Sequence, residues 1–191
     1  MVVWVNTPSG LISGAAVTDV EIRLVSDFFK GDIGGAKPSF HGEAVVVELP
    51  DGRHLFALLD GATGWVVNEL YDQGVDGGVP ELSRAFKSMD EPLRLSPKYY
   101  PLLVTFGDLS DPASVMRVDP ADLAATFGAG FALREITLEV TNDAVTEGVV
   151  EGVLGWLSEH PEPGLCPSTG RTSNIPFCRK VHHGDIIRRA N

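Results

Sequence analysis

Long apolar runs are missing from this sequence. No stretch of 18 or more apolar residues occurs among its 191 residues, so we expect no membrane-spanning helix in the chain. The first residues also lack the basic start and apolar stretch of a signal peptide, because Met1 to Val5 has the pattern of a β-strand. These absences predict a cytoplasmic protein, or one on the envelope or periplasmic side if an anchoring segment has been removed.

Basic residues are few. The chain has 15 Lys and Arg against 26 Asp and Glu, which gives a formal net charge of −11. Because proteins bind nucleic-acid phosphates largely through Lys and Arg, this balance argues against a nucleic-acid partner. Residues 161–191 are the exception, with five basic and two acidic side chains. We expect this segment to lie against the acidic remainder of the chain.

Established catalytic and cofactor motifs are also missing. The sequence contains no Gly-x-Ser-x-Gly nucleophile elbow, His-Glu-x-x-His zinc motif, dinucleotide glycine fingerprint or calcium loop. Residues 60–64 could hold an anion on backbone N–H groups, but they lack the Lys-Ser/Thr ending of a phosphate loop, and a sharp turn is expected there. No cofactor is indicated, and a binding protein is favoured over an enzyme.

The composition is that of a folded domain. With 43% hydrophobic and 21% charged residues, the chain is neither disordered nor suited to a bilayer interior. Strand and helix patterns follow one another without regular β–α alternation, which predicts an α+β domain with a mainly antiparallel sheet and three to four helices packed on it. This domain is placed at residues 1–160, with 161–191 as an irregular tail packed on it or extending from it.

The strand predictions rest on turn residues and on alternation of apolar and polar side chains. The clearest hairpin joins residues 44–49 to residues 54–59 around Asp51 and Gly52. Residues 30–42 contain four glycines and a proline, so they are predicted to form a mobile loop. The other strands are expected at 4–6 and 17–25, joined by a turn at 7–10, and at 101–106, 115–118 and 133–141.

The helix predictions rest on apolar spacing and on capping residues. The strongest start is Asp119, which can cap a helix that has Pro120 at its first position and runs to residue 127. A longer helix is expected at 145–157, with Asn142 and Asp143 available as caps and an apolar stripe that covers a sheet. Two short helices are expected at 65–73 and 80–89.

The two cysteines, Cys166 and Cys178, allow three states. A disulfide would close a loop of eleven intervening residues and contribute about 3 kcal/mol to stability. Two free thiols would suit a cytosolic protein. A zinc ion held by both cysteines with His182 and His183 has suitable ligand types, but structural zinc sites favour paired ligands two to four residues apart.

Four residues are candidates for acid–base chemistry. His41 stands beside Glu43, and His54 lies near Asp51 at the mouth of the predicted hairpin, so each histidine has a nearby carboxylate that could support it as a general base. The four candidates, His41, Glu43, His54 and Asp60, would form the site of a hydrolase or transferase. The alternative is that they are exposed turn residues without a catalytic role.

A set of segments is similar to a known group of proteins. They are residues 5–10 (VNTPSG), 13–17 (SGAAV), 42–49 (GEAVVVEL), 51–59 (DGRHLFALL), 100–106 (YPLLVTF), 111–115 (DPASV), 118–125 (VDPADLAA), 127–130 (FGAG) and 136–141 (ITLEVT). Together they resemble an uncharacterised bacterial family, found mainly in proteobacteria. Members of that family often carry an N-terminal hydrophobic segment, and that segment implies that they are anchored to the membrane with the domain outside the cytoplasm. This sequence lacks the segment. The resemblance supplies no catalytic residues.

The resemblance and the missing motifs favour a non-catalytic, envelope-associated or accessory domain whose partner is a protein. Such a domain should present an exposed apolar patch or an unpaired sheet edge. The first alternative is the hydrolase or transferase with a site near His41, His54 and Asp60. The second is a component of a phage or mobile element, since compact acidic proteins with irregular tails also suit assembly roles.

Overall fold

The computed structural model describes residues 1–24, 36–160, 164–167 and 175–189. Within these residues the protein has the predicted α+β fold, and all of the strand pairs are antiparallel. The strands are β1 (Val2–Thr7), β2 (Gly10–Ala15), β3 (Asp19–Leu24), β4 (Ala36–Glu43), β5 (Val45–Glu48), β6 (His54–Ala57), β7 (Leu93–Arg94), β8 (Leu103–Phe106), β9 (Val115–Arg117), β10 (Ala132–Leu138) and β11 (Ile187–Arg188). The helices are α1 (Ala62–Asp72), α2 (Val79–Lys87), α3 (Leu123–Phe127), α4 (Val149–Val153) and α5 (His183–Ile186).

The strands form three sheets. We call the sheet with the order β2-β1-β10-β7 the outer sheet and the sheet with the order β5-β6-β8-β9 the central sheet. A small sheet has the order β11-β4-β3. Among the described residues, no helix is long and apolar enough to cross a bilayer.

The central sheet is buried on both faces. All four residues of β8 and three of the four in β6 are buried, and six of these eight residues are apolar, with Thr105 and His54 as the exceptions. Alternate residues of β6 and β8 are buried in two different cores. Leu55 and Leu103 belong to the first core, whereas Phe56 and Val104 belong to the second.

The first core lies between the central and outer sheets. Val3 of β1 and Ile136 of β10 enter it from the outer sheet, and α1, α2 and α3 contribute Leu70, Leu82 and Leu123. Gly14 of β2 fits closely here, because a Cβ atom at that position would come within 2.0 Å of the Val46 carbonyl oxygen. The crossing of β2 over β5 therefore requires a glycine.

The second core covers the opposite face of the central sheet. Val150, Leu154 and Leu157 cover part of this face. Residues 164–167 and 175–189, which we call the C-terminal layer, cover the rest. This layer buries five apolar side chains against the sheet, those of Leu165, Cys178, Val181, Ile186 and Ile187.

Two helices start later than the sequence predicts. Helix α3 begins at Leu123 rather than Pro120, because the Asp122 carboxylate accepts the Ala125 N–H while Asp119 caps a separate turn through the Ala121 N–H. The helix expected at 145–157 is reduced to α4 and a 3-10 turn at Leu157–Glu159. Its N-cap, Gly148, has a φ of 84°, a left-handed conformation that interrupts the predicted helix.

The strand predictions fail at two places. Strand β1 pairs with β2, which the sequence did not indicate, whereas β3, within the predicted strand 17–25, pairs with β4. Residues 36–42 of the predicted loop are part of β4, and residues 30–35 lie outside the described residues. The hairpin at 44–59 is confirmed, since β5 pairs with β6.

Candidate functional site

One face of the outer sheet is directed away from the first core. In β1, Val3, Val5 and Thr7 are buried, so the alternate residues Val2, Trp4 and Asn6 project from the other side. Residues directly opposite one another in an antiparallel pair share a face. We call this surface the open face, and the β2 register places Ala15, Ser13 and Leu11 on it opposite these three residues of β1.

The open face combines a tryptophan with small and apolar neighbours. Leu11, Ser13 and Ala15 are exposed, and Leu11 has 47% of its surface in solvent. Trp4 is half-buried between its two cross-strand neighbours, Ser13 and Glu135. The neighbour of Trp4 on β2 therefore has a short side chain.

The carboxylate beside Trp4 is neutralised within the fold. Glu135 is directly opposite Trp4, and its side chain is only 16% exposed. Its two oxygens lie 2.5 Å from Arg94 Nη2 and 3.7 Å from Arg134 Nε. A partner that covers Trp4 therefore does not have to desolvate an unpaired charge.

His41 and Glu43 make separate structural contacts on β4. The His41 Nε2 atom lies 2.8 Å from the Glu147 carboxylate. Glu43 is almost fully buried, and its two carboxylate oxygens accept the Val149 and Val150 N–H groups at 3.1 and 3.3 Å. These two bonds satisfy free donors at the start of α4, so Glu43 holds that helix in place.

Asp60 and His54 lie at different ends of the central hairpin. The Asp60 carboxylate accepts the Leu102 N–H at 2.9 Å, and burial, with a contribution from the charge of Asp185, raises its pKa. His54 begins β6 opposite Glu48, and its buried Nδ1 atom has no partner within the described part of the chain. The four predicted catalytic candidates thus have separate contacts, and none of these contacts joins two of them.

Cys166 and Cys178 are joined by a disulfide, with their Cα atoms 5.6 Å apart. The His182 N–H donates to Asp185, and the His183 Nε2 atom lies 3.1 Å from the Leu157 carbonyl oxygen. Because of the disulfide, the sulfur atoms of the two cysteines in the expected zinc site are bonded to each other. No group of three or more potential metal ligands occurs in the described ranges.

An open groove of about 410 Å³ lies where three turns meet. The charged residue that lines it, Asp51, is already paired with Arg53. The hydrogen bond from Arg53 is the main reason why the pKa of Asp51 is lowered. Arg53 also donates to the Thr126 and Phe127 carbonyl oxygens, so its guanidinium group serves the fold. The residues that line the groove are Pro8, Ser9, Pro50, Asp51 and Phe131.

The open face was not predicted from the sequence. Residues 2–5 are all apolar, and residues 10–15 were not predicted as a strand, so the sequence did not indicate which side chains share this face. Comparisons with protein families, curated proteins and solved structures find nothing that matches this chain.

Proposed function

We propose that this protein is a non-catalytic, envelope-associated accessory domain that binds a protein partner through the open face. The observation that carries the proposal is the position of Trp4, which lies on a solvent-facing sheet surface between Val2 and the exposed Leu11. A surface that offers an aromatic side chain among apolar and small residues is typical of a protein-binding site.

The chemistry of the open face favours a protein over a small ligand. The face is a sheet surface, whereas small molecules are usually held in concave pockets. Tryptophan is enriched among the residues that contribute most to protein–protein binding. The short side chains of Ser13 and Ala15 allow a partner to approach the backbone of β2 closely, and the paired Glu135 adds a polar edge.

The disulfide supports an exported location. Disulfides persist in oxidising compartments such as the bacterial periplasm and are rare in the cytosol. A Cys166–Cys178 bond is therefore consistent with a domain on the outer side of the inner membrane, which is also the location that the family resemblance implies.

The binding proposal can be tested with two matched variants. Leu11 on the open face and Met116 on β9 are each 47% exposed, so Leu11→Lys and Met116→Lys each replace an exposed apolar residue with lysine, on two different surfaces. A photo-crosslinking amino acid placed at each position in the native cells would report the neighbouring protein. We expect a discrete crosslinked product from position 11, with loss of partner co-purification in Leu11→Lys only.

Two controls complete this experiment. Both lysine variants should keep the thermal midpoint of the unmodified protein, since neither side chain is in a core. Equal crosslinking from positions 11 and 116, or none from position 11, would refute binding through the open face. Fractionation of the same cells tests the envelope association separately.

A further inference from the structure

The C-terminal layer is attached to the rest of the fold by few regular elements. Within its described residues it contains a 3-10 turn at Phe177–Arg179, the four-residue helix α5 and the two-residue strand β11. Segments with little regular structure open more readily than strands inside a sheet. An added restraint on the layer should therefore have a large effect on how often it opens.

The contacts of the layer with the main body are well defined. The Ala44 N–H donates to the Ile186 carbonyl oxygen at 2.8 Å, and the Leu59 N–H donates to the Asp185 carbonyl oxygen at 2.7 Å. Strand β11 pairs with β4 through Ile187 and Glu43. These bonds join the layer to the end of the central hairpin.

The disulfide connects the two parts of the layer at its core. Cys178 is 8% exposed and belongs to the second core, whereas Cys166 is half-buried and packs against it. Leu165, beside Cys166, donates its N–H to the carbonyl oxygens of both Cys178 and Val181. The covalent bond thus reinforces the site at which the two parts of the layer meet.

We propose that the Cys166–Cys178 disulfide is a redox-controlled clasp that holds the two parts of the C-terminal layer together and so keeps the layer closed over the central sheet. In the reaction, a dithiol reductant attacks the disulfide and is itself oxidised to a disulfide, the S–S bond of the protein breaks, and each cysteine sulfur gains a proton. Oxidation by a disulfide-class oxidant reverses the step and closes the layer.

The expected size of the effect follows from loop entropy. Removing a cross-link around a loop of this length raises the population of forms in which the two parts of the layer have separated by on the order of a hundredfold. Opening would expose Phe56, Val104 and Phe106, which are buried in the second core. The first core keeps its own contacts with the outer sheet, so the opening should be local.

Hydrogen exchange of the full-length protein, with and without dithiothreitol, tests the clasp. The Ala44 and Leu59 N–H groups report on the layer because their acceptors are in it, and the Val3 and Ile136 N–H groups report on the outer sheet. On reduction we expect exchange at Ala44 and Leu59 to accelerate by on the order of a hundredfold, with little change at Val3 and Ile136.

The double variant Cys166→Ser/Cys178→Ser is the matched control. It should exchange like the reduced protein without dithiothreitol and should not respond to the reagent. Equal exchange in the oxidised and reduced proteins would overturn the proposal. Equal acceleration at all four reporters would overturn it as well, because the disulfide would then be a general restraint on unfolding.

Discussion

Asp60 is a carboxyl group that folding removes partly from water. Burial and the nearby Asp185 raise its pKa, while the Leu102 N–H donates to it. Because the folded pKa is above the unfolded value, the folded protein binds the proton more tightly, so stability from this group decreases as pH rises from about 4 through the folded pKa. At neutral pH the charge on Asp60 is therefore destabilising.

Asp60→Asn should keep the hydrogen bond and remove this charge. We expect a thermal midpoint at pH 7 equal to or above that of the unmodified protein, and a flatter dependence of stability on pH between about 4 and 7. Asp60→Ala removes the acceptor for Leu102 and should cost about 1–3 kcal/mol. Thermal unfolding over this pH range measures both, and a clear loss of stability in Asp60→Asn would contradict the assignment.

Glu43 is a buried carboxylate with a structural role. It is 1% exposed and holds the start of α4 through the Val149 and Val150 N–H groups. Glu43→Ala should cost about 2–3 kcal/mol, because two hydrogen bonds to a charged group are lost. Chemical denaturation gives this value, and Glu48→Ala on the exposed side of β5 is the control, with an expected change of at most about 0.5 kcal/mol.

At the scale of the elements, two glycines with opposite surroundings offer a direct comparison. A Cβ at Gly14 would meet the backbone of Val46 where β2 crosses β5, whereas a Cβ at Gly152 in α4 would have no atom within 4 Å. Gly14→Ala should destabilise the protein by about 1–3 kcal/mol or more through overpacking. Gly152→Ala should stabilise it by about 0.5–1 kcal/mol, since alanine favours a helix.

Denaturant unfolding of the two variants measures this difference. Opposite signs are the expected result because the chemical change is the same and only the packing differs. A Gly14→Ala variant with an unchanged free energy of unfolding would show that β2 can move away from β5. It would contradict the close packing of the outer sheet on the central sheet.

At the scale of the whole molecule, the second core depends on residues far along the chain. Truncation after His160 removes five buried side chains of the C-terminal layer. Because each buried apolar side chain contributes about 1.5–3 kcal/mol, we expect the free energy of unfolding to fall by several kcal/mol. The exposed central sheet should bind a hydrophobic dye and cause self-association, measurable by fluorescence and sedimentation. A monomeric fragment of unchanged stability would contradict this role of the layer.

Local signals explain what could be predicted. The hairpin of β5 and β6 was predicted because Asp51 and Gly52 favour a turn and the flanking residues favour strands. Helices α1 and α2 were predicted from their apolar spacing. The start of α4 could not be predicted, because Gly148 and the distant Glu43 set it. The mutual pairing of β1 and β2 was missed because β2, with the sequence GLISGA, has a weak strand pattern.

By itself, the sequence determined the α+β class, the central hairpin and the acidic character of this protein, since these depend on composition and on neighbouring residues. Only the tertiary structure decided which strands are partners, which face of the outer sheet is left open, and how the candidates His41, His54 and Asp60 are distributed. The reason is physical: contacts such as that of Glu43 with Val150, 107 residues apart, form between residues whose local patterns carry no information about each other.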